Sequence, residues 1–195
     1  MGNQSVVCFF VRPTSFVNTL IQVKQLCMSA RDEIVLIVDV DNNETGSAPR
    51  YEMRSRGLPH RAAYILVFNS REELFVQKRT MSKDIYPGYY DVAAGGVVMA
   101  GESYNHAAAR ELGEELGITD APLSSHFIFR YDDDSNLVWG KVYSCTYEGD
   151  IILQEEEIES GFFMTPEKVL ALSETEPFTP DGLYVLKRFL NGQNK

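Results

Sequence analysis

Residues 96–118 have the sequence GVVMAGESYNHAAARELGEELGI. Five residues separate Gly96 from Glu102, and seven more separate Glu102 from Arg110-Glu111-Leu112. One residue then precedes Glu114-Glu115, and another precedes Gly117-Ile118. With average residue usage, this complete spacing would occur by chance in roughly one chain in ten million of this length. The pattern therefore predicts a functional element rather than an ordinary solvated acidic helix.

Tyr104–Leu116 is predicted to be a helix that ends at Gly117, a residue type favoured just after a helix. Each helical step rotates the side chain by about 100°. On that geometry Ala109, Leu112 and Leu116 share one face, which we expect to pack into the core.

The same helix carries a cluster of carboxylates. Glu111 and Glu115 lie one turn apart, with Glu114 beside them. Three like charges repel each other unless a cation neutralises them, and Mg²⁺ or Mn²⁺ prefers oxygen ligands. Such an ion would polarise a P–O bond and acidify a bound water. Arg110 can orient one of these carboxylates and pair with Glu102 at the start of the helix.

The remaining pattern predicts strands joined mostly by hairpins, with a few helices. A mixed sheet covered by helices, an α/β (α+β) fold, is therefore expected. The predicted strands are Ile34–Val40, Ala62–Phe68, Leu74–Arg79, Phe127–Tyr131, Leu137–Tyr147 and Phe162–Met164, with Tyr89–Ala94 extended. The predicted helices are Tyr51–Arg56 and two that follow Thr165-Pro166 and Thr179-Pro180, the last reaching about Leu190.

The chain has 195 residues and a net charge of −10. This charge disfavours nonspecific binding to nucleic acid polymers or to an anionic membrane, although a small nucleotide remains compatible with it. The three cysteines, Cys8, Cys27 and Cys145, have neither metal-binding nor redox-motif spacing. Reduced thiols in a cytoplasmic protein are the simplest interpretation.

The first acidic residue is Asp32. The preceding segment fits three descriptions: an organellar leader, residues upstream of a true start at Met28, or an amphipathic helix. The helix would place Phe16, Leu20, Val23 and Cys27 on one face. We expect residues 1–31 to be an appendage without a catalytic role and residues 32–195 to form the catalytic domain.

The spacing over 96–118 resembles the complete signature of the Nudix hydrolases. The resemblance implies an α/β/α sandwich with a mixed sheet, attack of water on a nucleoside diphosphate derivative, and a small-molecule substrate. Homodimers are common in that superfamily, so a homodimer is expected. By resemblance, Glu111, Glu114 and Glu115 are metal ligands or the general base, Arg110 and Glu102 orient them, and Gly96 shapes the adjoining loop.

A wider resemblance, from about Glu33 to Pro180, is to isopentenyl-diphosphate isomerase. That enzyme requires a cysteine where this chain has Ala94-Gly95-Gly96, and among its metal-binding histidines only His60 is matched. Isomerisation is therefore not expected. The segments that carry the resemblance are Leu58–Ala62, Val67–Ser70, Gln77–Arg79, Ser82-Lys83 and Tyr86–Tyr89.

The isomerase resemblance assigns phosphate contacts to Arg79 and Lys83, against the alternative that each is simply solvated. The Gly95-Gly96 pair permits close approach of the backbone to substrate. In the acidic run 155–157, Glu157 best fits the position of an additional metal or water contact. The competing interpretation is a solvated acidic loop.

Several other residues favour a structural role. His60 is expected to be a buried, satisfied histidine and His106 an exposed helix residue. Trp139, with Phe129 and Tyr143, could stack on a base, although sheet packing is the simpler role. Asp132-Asp133-Asp134 is expected to be only a hairpin tip.

Three functions fit these features: a metal-dependent diphosphate hydrolase, an isomerase-like enzyme acting on a prenyl diphosphate, and a binding module without turnover. The intact set Arg110, Glu111, Glu114 and Glu115 argues against a pure binding module, which would not need all four. The missing cysteine argues against the isomerase. The hydrolase is therefore the leading hypothesis.

Overall fold

The computed structural model describes residues 30–133 and 137–193. A short 3-10 turn, Ala30–Asp32, precedes the first strand. The strands of this part of the chain are β1 Ile34–Val38, β2 Glu44–Pro49, β3 His60–Phe68, β4 Leu74–Arg79, β5 Tyr90–Asp91, β6 Ser124–Asp132, β7 Leu137–Thr146 and β8 Ile158–Met164. The helices are α1 Arg50–Arg56, α2 Tyr104–Leu116, α3 Pro166–Leu172 and α4 Pro180–Gln193.

The strands form one mixed sheet in which β3 is central. Strand β3 runs parallel to β7 along its whole length, from His60 opposite Val138 to Phe68 opposite Thr146. The other paired strands are antiparallel, with the order β2-β1-β3-β4-β5 and with β6 and β8 added beside β7 and β4. The expected mixed sheet with helices is confirmed.

Alternating residues of β3 supply two separate hydrophobic cores. Ala63, Ile65 and Val67 pack in the core that contains the apolar residues of α2. Leu66 packs in the second core, against residues of α3 and α4. Because strand side chains alternate between faces, this pattern places helices on both sides of the sheet. The result is a helix–sheet–helix arrangement.

Helix α2 has well-defined ends. The Ser103 side chain accepts a hydrogen bond from the His106 amide at 3.2 Å, and Gly117 ends the helix with a φ of 69°. The expectation that Ala109 enters the core was wrong, because Ala109 is exposed. The inward face is centred on Ala108 and Glu115, so Ala109, roughly 100° further round, points away from the sheet.

The segment 94–98 runs beside β3 and forms a wall between the sheet and α2. The Ile65 amide donates to the Ala94 carbonyl at 2.8 Å, and the Ala63 amide donates to the Gly96 carbonyl at 2.9 Å. Gly95 has a φ of +146°, and a Cβ there would lie 2.0 Å from the Ala63 carbonyl oxygen. Glycine at this position therefore allows the segment to lie directly against β3.

Local side-chain bonds moved some boundaries from the predicted ones. Strand β1 ends at Val38 rather than Val40, because the Asp39 carboxylate accepts from the Asp41 and Asn43 amides at 2.9 Å and starts a turn. Within the extended Tyr89–Ala94 segment only Tyr90–Asp91 forms a ladder. Among the described residues, no helix is long and apolar enough to cross a membrane.

Candidate active site

Helix α2 places its three glutamates in different environments. Glu115 is buried, Glu111 is largely covered, and the Glu114 side chain is half exposed at the rim. This graded burial follows from helix geometry, since Glu111 and Glu115 point toward the 94–98 segment and Glu114 lies further round. The cluster therefore has one deep, one intermediate and one exposed carboxylate.

Glu115 is anchored to the backbone of the adjoining segment. Its Oε2 accepts a hydrogen bond from the Gly95 amide at 2.9 Å. Burial, together with the nearby Glu111 carboxylate, raises the pKa of Glu115. Burial also raises the pKa of Glu111, against the opposing effect of Arg110. Both carboxylates thus lie in a place where the protein's own positive charges do not fully compensate them.

Arg110 connects these acids to the start of the helix. Its Nε and Nη2 donate to the two oxygens of Glu102 at 3.0 and 3.1 Å. Its Nη1 donates to Glu111 at 2.7 Å and to Glu114 at 3.0 Å. A further bond from Nη2 to the Val97 carbonyl, at 3.1 Å, ties the guanidinium to the 94–98 segment. The expected pairing of Arg110 with Glu102 is present in the structure.

Gly96 lies directly over Glu111. A Cβ at this position would be 2.4 Å from Oε1 of Glu111 and 2.7 Å from its Cδ. The absent side chain is what leaves room for the carboxylate, so Gly96 and Glu111 are coupled sterically.

Glu157 approaches from the segment before β8 and forms an ion pair with Lys83, whose side chain is only 10% exposed. Burial alone would raise the pKa of Glu157, but the Lys83 ammonium outweighs it and lowers that pKa. The Thr80 amide donates to the Glu157 carbonyl at 3.0 Å, which fixes the two segments together.

Most of the predicted site residues line one cleft of about 570 Å³. Glu115 lies beneath the wall of the cleft, and Glu102 is connected to the cleft through its bond with Arg110. Arg79 lines an adjoining cavity instead. Across residues 30–133 and 137–193, no three His, Cys, Asp or Glu side chains are already grouped closely enough to hold a metal ion. The predicted residues that line the cleft are Lys83, Gly95, Gly96, Arg110, Glu111, Glu114 and Glu157.

Arg79 is nearly buried on the far side of the Gly95-Gly96 wall. Its Nη1 lies 3.4 Å from Asp91 Oδ2, and its Nη2 donates to the Ile85 carbonyl at 3.1 Å. Its Nε is buried without a hydrogen-bond acceptor in the described parts of the chain.

Two basic residues near the cleft were missed by the sequence-based prediction. Arg50 and Arg54 lie one turn apart on α1 and line the same cavity as Arg79. Arg50 also reaches the cleft and pairs with Glu33 at 3.1 Å and Asp84 at 3.3 Å. The spacing of two arginines four residues apart was the available signal, since such residues share a helix face.

The structural roles expected for the histidines are confirmed. His60 is buried, its Nδ1 donates to the Leu58 carbonyl at 3.1 Å, and burial lowers its pKa to about 3. His106 is exposed. Trp139 packs with Tyr143 against one core, while Phe129 belongs to the other face of the sheet. The three aromatic residues therefore cannot form one stacking platform.

Some predictions fall on residues outside the described part of the chain. These are the N-terminal helix with its residues Phe16, Leu20, Val23 and Cys27, and the end of the acidic hairpin at Asp134. Asp133 accepts a hydrogen bond from the Tyr86 hydroxyl at 2.8 Å, so this acidic loop also makes a tertiary contact.

A comparison with protein-family models matches residues 58–189 to the NUDIX domain. The Nudix hydrolase PA4841 of Pseudomonas aeruginosa is 47% identical over 159 residues, which cover 82% of this chain and 94% of that protein. The Nudix hydrolase YfcD of Escherichia coli K12 is 40% identical over 166 residues, covering 85% and 91% respectively.

Among solved structures, DR0079 of Deinococcus radiodurans superimposes with a TM-score of 0.72 at 25% identity. The match covers 80% of this chain and 98% of that one. The family match spans well over half of the residues and includes every residue of the 96–118 motif. The chain is therefore a member of the Nudix hydrolase family.

Proposed function

We propose that the chain is a Mg²⁺- or Mn²⁺-dependent hydrolase that cleaves the diphosphate linkage of a nucleoside diphosphate derivative by attack of water on phosphorus. The observation that carries the proposal is the cleft, which is lined by carboxylates from α2 and from the segment before β8 together with Lys83. Family membership supports the reaction class.

The donor set of the cleft fits a hard divalent cation. Its carboxylates are oxygen donors of the kind that such cations bind. Burial raises the pKa of Glu111 and of Glu115, and a bound cation would favour their charged forms. Glu111, Glu114, Glu115 and Glu157 would hold the ion. When bound, it would supply charge neutralisation at the reacting phosphate and a more acidic water.

The chain's own residues have distinct roles in this proposal. Arg110, held by Glu102, keeps Glu111 and Glu114 on the same side of the helix. One of the carboxylates of α2 accepts the proton of the attacking water. The anchored position of Glu115 against Gly95 links the carboxylate cluster to the wall that the substrate would contact.

Substrate contacts are proposed for Lys83, Arg79, Gly95 and Gly96. Lys83 lines both the cleft and the cavity behind it, so its ammonium can approach a phosphate from either side. The glycine pair lines both spaces. Charge-assisted hydrogen bonds from such cations are the usual means of holding phosphate.

We also propose that the chain shares the structural frame of isopentenyl-diphosphate isomerase without its activity. The segments that resemble the isomerase carry His60, Arg79 and Lys83, but the position that needs cysteine is glycine or alanine. We expect no isomerised prenyl diphosphate from this chain, and product analysis that detected it would contradict the hydrolase proposal.

We further propose that residues 32–195 form the catalytic domain of a cytoplasmic homodimer, with 1–31 as an appendage. All predicted site residues lie after Asp32. A chain that starts at Met28 should keep its turnover rate. Sedimentation should give twice the mass of one chain. Loss of activity on truncation would refute the appendage role of residues 1–31, and a monomeric mass would refute the homodimer.

The test of the function is a screen of diphosphate compounds with Mg²⁺ or Mn²⁺, in which released phosphate and nucleotide are measured. Hydrolysis of at least one nucleoside diphosphate derivative is expected. The absence of turnover on every compound, with the folded protein and metal present, would contradict the proposal.

A further inference from the structure

Behind the Gly95-Gly96 wall lies a second, smaller cavity of about 70 Å³. One water needs about 10–15 Å³ by the same measure, so the cavity has room for several waters or a phosphate group but not for a nucleoside. Arg50, Lys83, Gly95 and Gly96 line both this cavity and the cleft. The two spaces therefore meet at the glycine pair.

Four cations line the cavity. Arg50 and Arg54 enter from α1, Arg79 from β4, and Lys83 from the loop that follows β4. We name these four residues the basic pocket. Only two carboxylates, Asp91 and Asp181, are among its lining residues. In a chain with a net charge of −10, this concentration of positive charge is local and specific.

The cations of the basic pocket are held by carboxylates, of which Asp84 lies outside the cavity and Asp91 lines it. Asp84 lies 3.3 Å from Arg50 and 3.5 Å from Arg54, and it does not line the cavity. Asp91 lies 3.4 Å from Arg79, and the Tyr64 hydroxyl donates to its neighbour Asp181 at 2.7 Å. Such partners fix the guanidinium groups in place around the cavity.

Arg79, one of the four cations, also carries a buried donor without a hydrogen-bond partner among the described residues. Arg79 is 91% buried, and its Nε finds no hydrogen-bond acceptor within residues 30–133 and 137–193. Buried donors are normally satisfied, so the Arg79 guanidinium lacks one of its usual partners among the described residues. Burial and the charge of Arg54 both lower the pKa of His60, which is consistent with positive potential along this wall.

We propose that the basic pocket binds the unesterified terminal phosphate of the substrate, so that diphosphate monoesters are the preferred substrate class. This inference rests on the proposed hydrolase function. It predicts that a compound whose diphosphate is esterified at both ends is a poorer substrate, because its second substituent cannot enter a cavity of this size.

The reaction balances as water plus a diphosphate monoester giving a phosphate monoester, orthophosphate and one proton. Water forms the new P–O bond, and the P–O–P bridge breaks. The bridging oxygen leaves with the phosphate that was not attacked. Orthophosphate is therefore the expected second product, and no oxidant or other co-reactant is needed.

The first experiment compares ADP with ADP-ribose on the full-length protein in Mg²⁺, with orthophosphate and AMP measured. We expect kcat/KM for ADP to exceed that for ADP-ribose by at least about tenfold. Equal or better use of ADP-ribose would overturn the inference while leaving the hydrolase function intact. No turnover of either compound, or of any other diphosphate, would refute the proposed function itself.

The second experiment uses Arg54→Gln, with Arg56→Gln as the matched control. Arg56 lies on the same helix, is exposed and pairs with Glu52, away from the cavity. A charge-assisted hydrogen bond contributes about 1.5–3 kcal/mol, so Arg54→Gln should raise KM for ADP roughly 10–150-fold. Its kcat and its KM for ADP-ribose should change much less, and Arg56→Gln should behave like the wild type.

Inorganic phosphate tests the pocket without turnover. It should raise the melting temperature of the wild-type and Arg56→Gln proteins but not that of Arg54→Gln, because a ligand stabilises the state that binds it. An equal rise in all three proteins, or none in the wild type, would contradict the pocket. If Arg54→Gln does not fold, the wild-type substrate comparison and the phosphate titration still decide the question.

Discussion

The two sides of the Gly95-Gly96 wall are opposite in charge and in construction. On one side, the acidic cleft takes Arg110, Glu111 and Glu114 from the single helix α2, and Arg110 holds the two glutamates together. On the other, the basic pocket is assembled from α1, β4 and the following loop. One segment of backbone separates a region suited to a cation from a region suited to an anion. Their contributions should therefore be separable by substitution on either side.

The largest effect on the acidic side is expected from Glu114→Gln, which keeps the side-chain shape and removes one charge. Loss of one electrostatic contact in a transition state typically costs on the order of 10²–10³ in rate, so kcat should fall by that factor. Unfolding free energy should change by at most about 0.5 kcal/mol, since the Arg110–Glu114 pair is half exposed.

Exposed Glu167 on α3 provides the matched control, because Glu167→Gln removes the same charge from a residue that does not line the cleft. Steady-state kinetics and thermal unfolding of both variants make the comparison. Normal turnover in Glu114→Gln would remove Glu114 from the catalytic group and leave Glu111 and Glu115 as the candidates.

Gly96→Ala should disturb chiefly the acidic side, because the three atoms nearest to its added Cβ all belong to Glu111 even though Gly96 lines both spaces. The added Cβ would meet Oε1 of Glu111 at 2.4 Å and displace that carboxylate. A misplacement of about 1 Å can cost on the order of 10² in rate, so kcat should fall by about that amount. Stabilisation by inorganic phosphate should persist, because the basic pocket is formed by other side chains.

Gly113→Ala is the control for this substitution. It lies within α2, where a new Cβ would meet only ordinary contacts, the nearest being Thr119 Cγ2 at 3.6 Å. Alanine is favoured over glycine inside a helix by about 1 kcal/mol, so this variant should be active and slightly more stable. Equal losses of activity in both variants would contradict the steric explanation.

The smallest effect concerns His60, in the wall of the basic pocket. Its pKa is lowered from 6.5 to about 3 by burial and then by Arg54. The unfolded chain therefore binds a proton that the folded chain does not, and stability is lost as the pH falls below about 6.5. The contribution is up to about 1.4 kcal/mol per pH unit between 6.5 and the folded-state pKa.

Chemical denaturation at pH 7, 6 and 5 checks this effect. His60→Gln should show a shallower loss of stability than the wild type over this range, whereas exposed His106→Gln should follow the wild type. Parallel curves for all three proteins would show that His60 is not kept neutral by its surroundings.

The glutamate cluster on the acidic side could be predicted from the sequence because its members lie on one helix. The separation of Glu102 and Arg110 in sequence is a local property, and so is the position of Glu111, Glu114 and Glu115 on one helix. Helix geometry converts such spacings into positions in space. The bounds of α2 and its end at Gly117 were predicted for the same reason. The fold class followed from strand patterns that alternate with turns.

The basic side could not be predicted in this way, because its members meet only through tertiary contacts. Arg54 and Arg79 are 25 positions apart in sequence, and nothing local indicates that they share a cavity. The exposure of Ala109 was also missed, since periodicity gives a face but not the direction from which the sheet approaches. The bond between Glu115 and the Gly95 amide likewise depends on where the 94–98 segment lies.

The most direct test of the account is the metal dependence of diphosphate hydrolysis by the wild-type protein. Turnover of a diphosphate compound that the screen identifies as a substrate is measured after treatment with EDTA, and again after Mg²⁺ or Mn²⁺ is added back in excess. Turnover should be abolished by the chelator and restored by either ion, and circular dichroism should show that the protein remains folded throughout. Full turnover in the presence of EDTA would contradict the proposed metal dependence.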